Sequence, residues 1–236
     1  MRLIEFTLNE GGNVFKNKDK QPLTQRINKA DVEPTLKWLE QIIKLDLRGN
    51  MLGTTGKRDT SGDLDIAVDE KVTSKEDIVS TLTAWCKQHG LTPKEWIRKS
   101  GTNVHFKTPI KGNEANGFVQ TDLMFGDPQW MSWSMRGAMG ASPFKGMHRH
   151  IMMASVASAQ GMKWSYQKGL IDRKTDEVLS KQPDQIAQLL LGQNYNADAL
   201  ESVETILDSI RNRPDYEELV QAAAKTFAYD GLEIPQ

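Results

Sequence analysis

The sequence predicts an α+β protein in which an N-terminal lobe, a mixed sheet with flanking helices, precedes a mostly helical C-terminal lobe. Three observations lead to this prediction. Runs of alternating apolar residues, which are typical of strands, concentrate in the first half of the chain. Amphipathic stretches that start at a capping residue separate those runs. After about residue 128, capped helical stretches dominate the sequence.

The first elements are a polar arm, a helix and two short strands. Residues 1–30 are expected to form the arm. Asp31 is the expected helix cap and Pro34 opens the helix, because proline is favoured in the first turn. Leu47–Leu52 and Leu64–Val68 each predict a short strand, and the loop between them is rich in Gly, Thr and Ser. The apolar face of the helix comprises Leu36, Leu39, Ile42 and Ile43.

A second helix and three strand-like runs follow. Ser74 and Asp77 have the spacing of a capping box, and Gly90 is expected to end the helix. Residues 95–110 contain two strand-like runs around a turn, and Gly117–Phe125 predicts a third strand. The inner face of the helix comprises Ile78, Val79, Leu82 and Cys86.

Helices predominate in the C-terminal half. Two of them are predicted from a cap followed by proline, at Asp127-Pro128 and at Ser142-Pro143. Residues 162–180 predict short strands around a turn. The remaining helices are expected over Pro183–Leu191 and from near Asn196 and Asp215. The expected division is an arm (1–30), a catalytic domain (31–128) and a helical domain (129–236).

Composition excludes several classes of protein. The net charge of -1 argues against a histone-like basic protein, although a local basic stripe is enough to bind nucleic acid. A single cysteine, Cys86, excludes an internal disulfide and a zinc cluster. No apolar run approaches the roughly 20 residues of a membrane span, and no signal peptide is evident. We therefore expect a cytoplasmic protein that binds no membrane.

The most informative segment is 52–69, LGTTGKRDTSGDLDIAVD. Asp63 and Asp65 lie two residues apart at the start of a strand, so their side chains leave the same face. Two carboxylates repel unless a cation lies between them, and oxygen ligands suit Mg²⁺ or Mn²⁺. The preceding loop offers backbone N–H groups, hydroxyls and positive charge to a phosphate. The residues expected to do so are Gly53, Thr54, Gly56, Lys57, Arg58, Ser61 and Gly62.

A third carboxylate is expected from Asp122. It interrupts the apolar run 119–125, where an unpaired charge would be costly. Two metal ions held by three aspartates would activate an attacking hydroxyl and stabilise both oxygens of an in-line displacement. Asp122 would also act as the general base for that hydroxyl.

These residues resemble the DNA polymerase β superfamily of nucleotidyltransferases, and most closely the family X DNA polymerases. Gly53-Thr54 stands where that family has Gly-Ser, and residues 61–65 match its Ser-Gly-Asp-x-Asp motif. Phe144 and Arg149 repeat the spacing at the start of the thumb helix, and 162–192 resembles the strand pair and short helix of the thumb. The resemblance covers about residues 45–195.

The resemblance implies a palm-like catalytic domain followed by a thumb-like domain, with a nucleoside triphosphate and a nucleic-acid 3′ end as substrates. Thr54 and Lys57 would bind triphosphate oxygens. Ser61-Gly62 would close on the γ-phosphate. Phe144 belongs to the same nucleotide-binding set, and Arg149 would approach the template strand or the incoming base.

The chain also departs from the family X pattern. Its phosphate-binding loop is one residue shorter, and no segment matches the N-terminal lyase-type domain of longer members. Gly137-Ala138 replaces the Tyr-Phe pair that meets the sugar. The hypothesis that follows is weak discrimination between ribonucleotides and deoxyribonucleotides. Assays that compare the incorporation of ribonucleotides and deoxyribonucleotides test it, and strict rejection of one sugar would refute it.

Several other side chains invite a functional interpretation. His148 and His150 do not share a helix face, which argues against a zinc site. Trp130, Trp133 and Trp164 suit core packing or base stacking. Residues 163–174 combine Lys163, Lys168, Arg173 and Lys174 with aromatic residues and form the best basic-aromatic patch.

Alternative functions remain open at the level of sequence. The same chemistry could modify tRNA, a small molecule such as an antibiotic, or a protein side chain. A non-catalytic scaffold on this fold is a further alternative, against which the three intact aspartates argue. A small chain without recruitment domains would suit a phage or mobile-element protein.

Overall fold

The computed structural model describes residues 13–137, 142–229 and 231–234. They form two compact units. The first, called the sheet unit, comprises the described residues up to Met51 and Thr55–Phe125. The second, called the helical unit, comprises Leu52–Thr54 and the described residues from Gly126 onward. Helices and a mixed sheet occur together, so the predicted α+β class is confirmed.

The sheet unit is built on a four-stranded sheet with the order β3-β6-β5-β4. Its strands are β3 (Asp63–Asp69), β4 (Ile97–Ser100), β5 (Asn103–Pro109) and β6 (Phe118–Gly126). The β4–β5 and β5–β6 pairs are antiparallel. A small ladder of β1 (Ile27–Asn28) and β2 (Thr60–Ser61) precedes the sheet. The predicted strands over 64–68, 95–110 and 117–125 are therefore confirmed.

Three helices belong to the sheet unit: α1 (Lys29–Ile43), α2 (Lys75–Gln88) and α3 (Pro93–Trp96). The capping box predicted at Ser74 and Asp77 is present, and Gly90 follows the helix with φ +68°. The core contains the apolar helix positions together with the inward side chains of the sheet: Leu36, Leu39, Ile43, Leu64, Ile66, Ile78, Leu82, Cys86, Val104, Phe106, Val119 and Leu123.

The start of α1 was predicted too late. The helix begins at Lys29, so Asp31 lies in its first turn and Pro34 lies inside it. The β1–β2 pairing sets this start, because the backbone N–H of Lys29 donates to the carbonyl of Asp59 at 2.8 Å. The first N–H groups of a helix have no acceptor within the helix, and this bond provides one for Lys29.

The strand predicted over Leu47–Leu52 is wrong. A single turn of 3₁₀-helix occupies Arg48–Asn50, and only Met51 forms an isolated bridge, to Ile66. Side-chain oxygens accept the backbone N–H groups that a strand would use. The Glu40 carboxylate accepts from the N–H groups of Leu47 and Arg48, at 2.9 and 3.0 Å.

The helical unit contains five α-helices and a three-stranded antiparallel sheet in its described residues. The helices are α4 (Pro128–Ser134), α5 (Gly146–Ala159), α6 (Pro183–Leu191), α7 (Val203–Ile210) and α8 (Tyr216–Tyr229). The strands are β7 (Met162–Ser165), β8 (Gly169–Asp172) and β9 (Val178–Ser180), in that order. α4 and α6 begin where predicted. None of the helices in the described ranges is long and apolar enough to cross a membrane.

Two helix starts in the helical unit differ from the prediction. α5 begins at Gly146 rather than at Ser142-Pro143, because the Ser142 hydroxyl accepts from the N–H of Phe144 at 3.2 Å in a turn before the helix. The segment after Asn196 is a 3₁₀ turn, and α7 begins only at Val203. The last helix begins next to Asp215, as predicted.

Tryptophan side chains cluster inside each unit. In the sheet unit the ring centroids of Trp38 and Trp96 lie 5.4 and 5.7 Å from that of Trp85. In the helical unit the centroids of Trp130, Trp133 and Trp164 lie 5.4–6.1 Å apart. The predicted core packing of this second trio fits these contacts better than base stacking does.

Candidate metal centre

Three carboxylates converge in the sheet unit, where β3 and β6 are neighbouring strands. Asp63 and Asp65 leave the same face of β3, since side chains alternate along a strand. Asp122 projects from the middle of β6. Each aspartate offers an oxygen, and these oxygens all lie within 4.8 Å of one another. Asp122 is buried and the other two side chains are half-buried.

Burial and neighbouring carboxylates raise the pKa of Asp63 and of Asp65. Burial and the charge of Asp122 raise the pKa of Asp63 to about 6, although nearby positive charge from Arg26 opposes the shift. Burial, Asp63 and Asp122 raise the pKa of Asp65 well above its usual range. Holding three negative charges here is costly unless a proton or a cation neutralises part of them.

Two hydrogen bonds hold the Asp122 carboxylate. The Nδ1 atom of His105, on the adjacent strand β5, lies 2.7 Å from Oδ1. The Nε2 atom of Gln120 donates to Oδ2 at 3.2 Å. The chain of contacts continues outward, because Ser100 Oγ lies 2.7 Å from His105 Nε2, and the N–H of Val14 donates to Gln120 Oε1 at 2.9 Å.

Sequence reasoning missed this support. His105 and Asp122 face each other across the β5–β6 ladder, a register that the sequence does not reveal. The available signal was the polar His105 between the apolar residues Val104 and Phe106. Thr55 was also missed: its buried hydroxyl accepts the backbone N–H of Asp65 at 3.1 Å and so fixes the loop to β3.

The predicted phosphate-binding residues of the sheet unit are close in sequence to the acids. Lys57, Arg58 and Gly62 are exposed. The Ser61 hydroxyl is buried and has no hydrogen-bond partner among the described residues.

Arg26 is a further residue that sequence reasoning missed. Its guanidinium donates to the Thr60 hydroxyl at 3.0 and 3.1 Å, and its charge acts on Asp63. A Cβ atom at Gly62 would lie 3.3 Å from Arg26 Nη1, so the guanidinium approaches the backbone just before Asp63. Arg26, Arg58, Asp59 and Thr60 line an open depression of about 410 Å³.

Gly53 and Thr54 belong to the helical unit, where they contact Gly137. A Cβ atom at position 137 would lie 2.7 Å from Thr54 Cγ2 and 3.3 Å from the Gly53 carbonyl carbon. The position that carries a sugar-contacting tyrosine in family X therefore has no room for a side chain here without rearrangement. Ala138, its neighbour in that comparison, lies outside the described residues.

The helical unit buries Phe144 and Arg149. The Arg149 side chain is 2% exposed and donates to the carbonyls of Leu200 and Ser134, the latter at 2.9 Å. Its guanidinium also lies 4.7 Å from the ring centre of Trp133. Burial, with repulsion from Arg136, lowers its pKa to about 10. These contacts bury Arg149 inside the helical unit, and its predicted contact with a template or base stays a prediction.

The two histidines beside Arg149 also form hydrogen bonds within the helical unit. His148 is buried, and its Nδ1 atom accepts the N–H of Lys145 at 2.8 Å at the start of α5. His150 Nδ1 accepts from Trp164 Nε1 at 3.0 Å. Burial and the charge of Arg149 lower the pKa of His150 to about 3, so it is neutral at physiological pH.

The basic-aromatic patch is largely engaged within the protein. Lys163 pairs with Asp176 at 2.5 Å, and Arg173 donates to the carbonyl of Met162 at 3.1 Å. Trp164 is buried. Lys168, Arg173 and Lys174 are exposed, and contact of this patch with nucleic acid stays a prediction.

A scan against protein-family profiles and a search of curated proteins both found no match to the chain. The residues of the acidic cluster and their geometry are therefore the basis of the function proposed below.

Proposed function

We propose that this chain is a nucleotidyltransferase, which moves a nucleoside monophosphate from a nucleoside triphosphate to an acceptor hydroxyl. The observation that carries the proposal is the convergence of Asp63, Asp65 and Asp122 within 4.8 Å. In the transfer a bond forms between the acceptor oxygen and the α-phosphorus, and the bond from that phosphorus to pyrophosphate breaks.

The donor set fits a hard divalent cation such as Mg²⁺ or Mn²⁺. All three groups offer carboxylate oxygens, which these ions prefer. The raised pKa values of Asp63 and Asp65 come first from burial and then from repulsion between the carboxylates, and a bound cation would offset both effects. When bound, two such ions would stabilise charge on the transferring phosphoryl group and acidify the acceptor hydroxyl. Asp63, Asp65 and Asp122 would hold them.

The other groups of the sheet unit would bind phosphate and move the proton. Arg26 and Arg58 place positive charge at the open depression, where an anionic triphosphate would gain from it. Ser61 supplies a buried hydroxyl without a described partner. An oxygen of Asp122 would accept the proton of the acceptor hydroxyl as general base.

The proposed acceptor is the 3′ end of a nucleic acid. The chain would then be a small family-X-like DNA polymerase or a terminal transferase. The spacing of the Gly53-Thr54 and Ser61–Asp65 motifs supports this choice. Transfer to tRNA, to a small molecule or to a protein would use the same three aspartates. The acceptor must therefore be decided by assay.

The test is transfer from labelled NTPs and dNTPs with Mg²⁺ to primers, gapped duplexes, tRNA and protein. Asp65→Asn should reduce transfer to about 1% of wild type or less, because a charge-stabilising ligand is lost. Asp69→Asn, at the other end of β3, makes the same charge change and should retain transfer. Labelling of one acceptor class identifies the substrate. Absence of transfer to every class, or full activity of Asp65→Asn, would contradict the proposal.

A further inference from the structure

The hydrogen-bond chain behind Asp122 has a defined direction. An ionised carboxylate can only accept, so the Nδ1 atom of His105, 2.7 Å from Asp122 Oδ1, carries the hydrogen. In the neutral imidazole Nε2 is then an acceptor, and Ser100 Oγ, 2.7 Å away, is its donor. The Asp122 carboxylate thus selects the tautomer of His105, and the Ser100 hydroxyl, which can donate to Nε2, holds the ring in the orientation that His105 needs in order to donate to Asp122.

Burial makes this arrangement specific. The side chains of His105 and Asp122 are 7% and 9% exposed, so water does not readily replace the bond between them. Gln120 holds the second oxygen of the same carboxylate. Each oxygen accepts one bond from the protein and keeps a second lone pair, so the carboxylate is oriented while it can still bind a cation.

Within the part of the chain that the structure describes, neither of the other two acids has comparable side-chain support. Asp65 is fixed through its backbone N–H by Thr55, and Asp63 responds to the charge of Arg26. Only the Asp122 carboxylate is held at both oxygens by side chains from its own and the neighbouring strand. The direction of the Asp122 carboxylate is therefore set before a cation binds. Hydrogen-bonded partners orient metal-binding carboxylates in this way.

We propose that His105, oriented by Ser100, is a positioning residue that fixes the Asp122 carboxylate for divalent-cation binding. The inference deepens the proposed function and rests on it. His105 acts through Asp122 and does not itself touch the nucleotide or the cation. Partners of this kind typically change metal affinity by about 10- to 100-fold when they are removed.

The experiment measures Mn²⁺ binding to the full-length protein by electron paramagnetic resonance, together with kcat at a series of Mn²⁺ concentrations. His105→Leu removes the donor and should weaken Mn²⁺ binding by about 10- to 100-fold. His105→Asn places an amide N–H near the former Nδ1 atom and should recover most of the affinity. Ser100→Ala should weaken binding by a smaller factor, because the ring stays but loses its orienting partner.

A matched control lies on the same two strands. Thr108 Oγ1 and Thr121 Oγ1 form a buried 2.7 Å hydrogen bond between β5 and β6. Thr108→Val breaks that bond and should leave Mn²⁺ affinity unchanged, even where it lowers the thermal midpoint. For His105→Leu the Mn²⁺ concentration that gives half-maximal transfer should rise, whereas a smaller folded fraction alone would lower apparent kcat and leave that concentration unchanged.

The outcomes separate this inference from the proposed function. Wild-type Mn²⁺ affinity in His105→Leu, with transfer activity intact, would overturn the positioning role and leave nucleotidyl transfer standing. Absence of Mn²⁺ binding by the wild-type protein would overturn both. If His105→Leu does not fold, Ser100→Ala tests the inference. Wild-type Mn²⁺ affinity in that variant would refute the role of the hydrogen bonds from Ser100 through His105 to Asp122.

Discussion

Removing one carboxylate from the acidic cluster should stabilise the protein when no divalent cation is present. The pKa of Asp63 is raised from 3.8 to about 6, first by burial and then by Asp122. A shift of that size corresponds to about 3 kcal/mol of destabilisation once Asp63 is ionised in both the folded and unfolded states. We therefore expect Asp63→Asn to increase the free energy of unfolding at pH 7.5 in EDTA by about 1–3 kcal/mol.

The effect has a characteristic dependence on pH. An acid with a raised pKa binds its proton more tightly in the folded state, so the destabilisation is absent below about pH 4. It grows as the pH rises from 4 to 6 and is complete above 6. The gain from Asp63→Asn should accordingly shrink to about a third of its full value at pH 4.5.

Urea unfolding in EDTA at pH 4.5 and 7.5 measures both quantities. Adding Mg²⁺ at pH 7.5 should stabilise the wild-type protein and stabilise Asp63→Asn much less. Asp69→Asn is the control, since Asp69 lies on the same strand and its carboxylate accepts the N–H of Lys71 at 2.9 Å. Asp69→Asn should not increase the free energy of unfolding. Equal or lower stability of Asp63→Asn at pH 7.5 would refute the repulsion on which the metal argument depends.

Three further predictions concern stability. As pH falls from 6.5 towards 3, His150 takes up a proton in the unfolded state but not in the folded state, so the free energy of unfolding of the wild-type protein should fall by up to about 1.4 kcal/mol per pH unit. His150→Gln should flatten this slope in acid unfolding followed by fluorescence. Arg149→Met leaves the buried carbonyls of Ser134 and Leu200 without their donor and should cost about 1–3 kcal/mol in urea unfolding; an unchanged midpoint would contradict a stabilising role of these bonds. Gly112→Ala should cost about 2–4 kcal/mol, because φ is +72° and the new Cβ would lie 2.2 Å from the Trp38 ring. Gly101→Ala, with positive φ but open space, should cost about 1 kcal/mol; equal losses in these two variants would exclude the clash.

The acidic cluster could be predicted because its signal is local. Asp63 and Asp65 share a face through strand periodicity alone, and Asp122 stands out as a charge in an apolar run. His105 and Arg26 could not be assigned in this way. Their roles depend on strand register and on the β1–β2 ladder, which bring together residues far apart in sequence.

Tertiary burial accounts for most of the other differences. The spacing of Phe144 and Arg149 is visible in the sequence, but the carbonyls that receive Arg149 come from Ser134 and Leu200. The predicted strand over 47–52 failed because the carboxylate of Glu40, seven residues earlier than Leu47, takes up the backbone N–H groups. Neither partner is evident from hydrophobic periodicity.

The distribution of the indole rings gives each half of the molecule its own optical reporter. Of the six tryptophans, one trio lies inside the sheet unit and the other inside the helical unit. Replacing one trio with phenylalanine would leave emission from the other half alone. Denaturation curves of the two complementary proteins could then be overlaid, and a separation of their midpoints would mean that the halves melt as independent cooperative blocks.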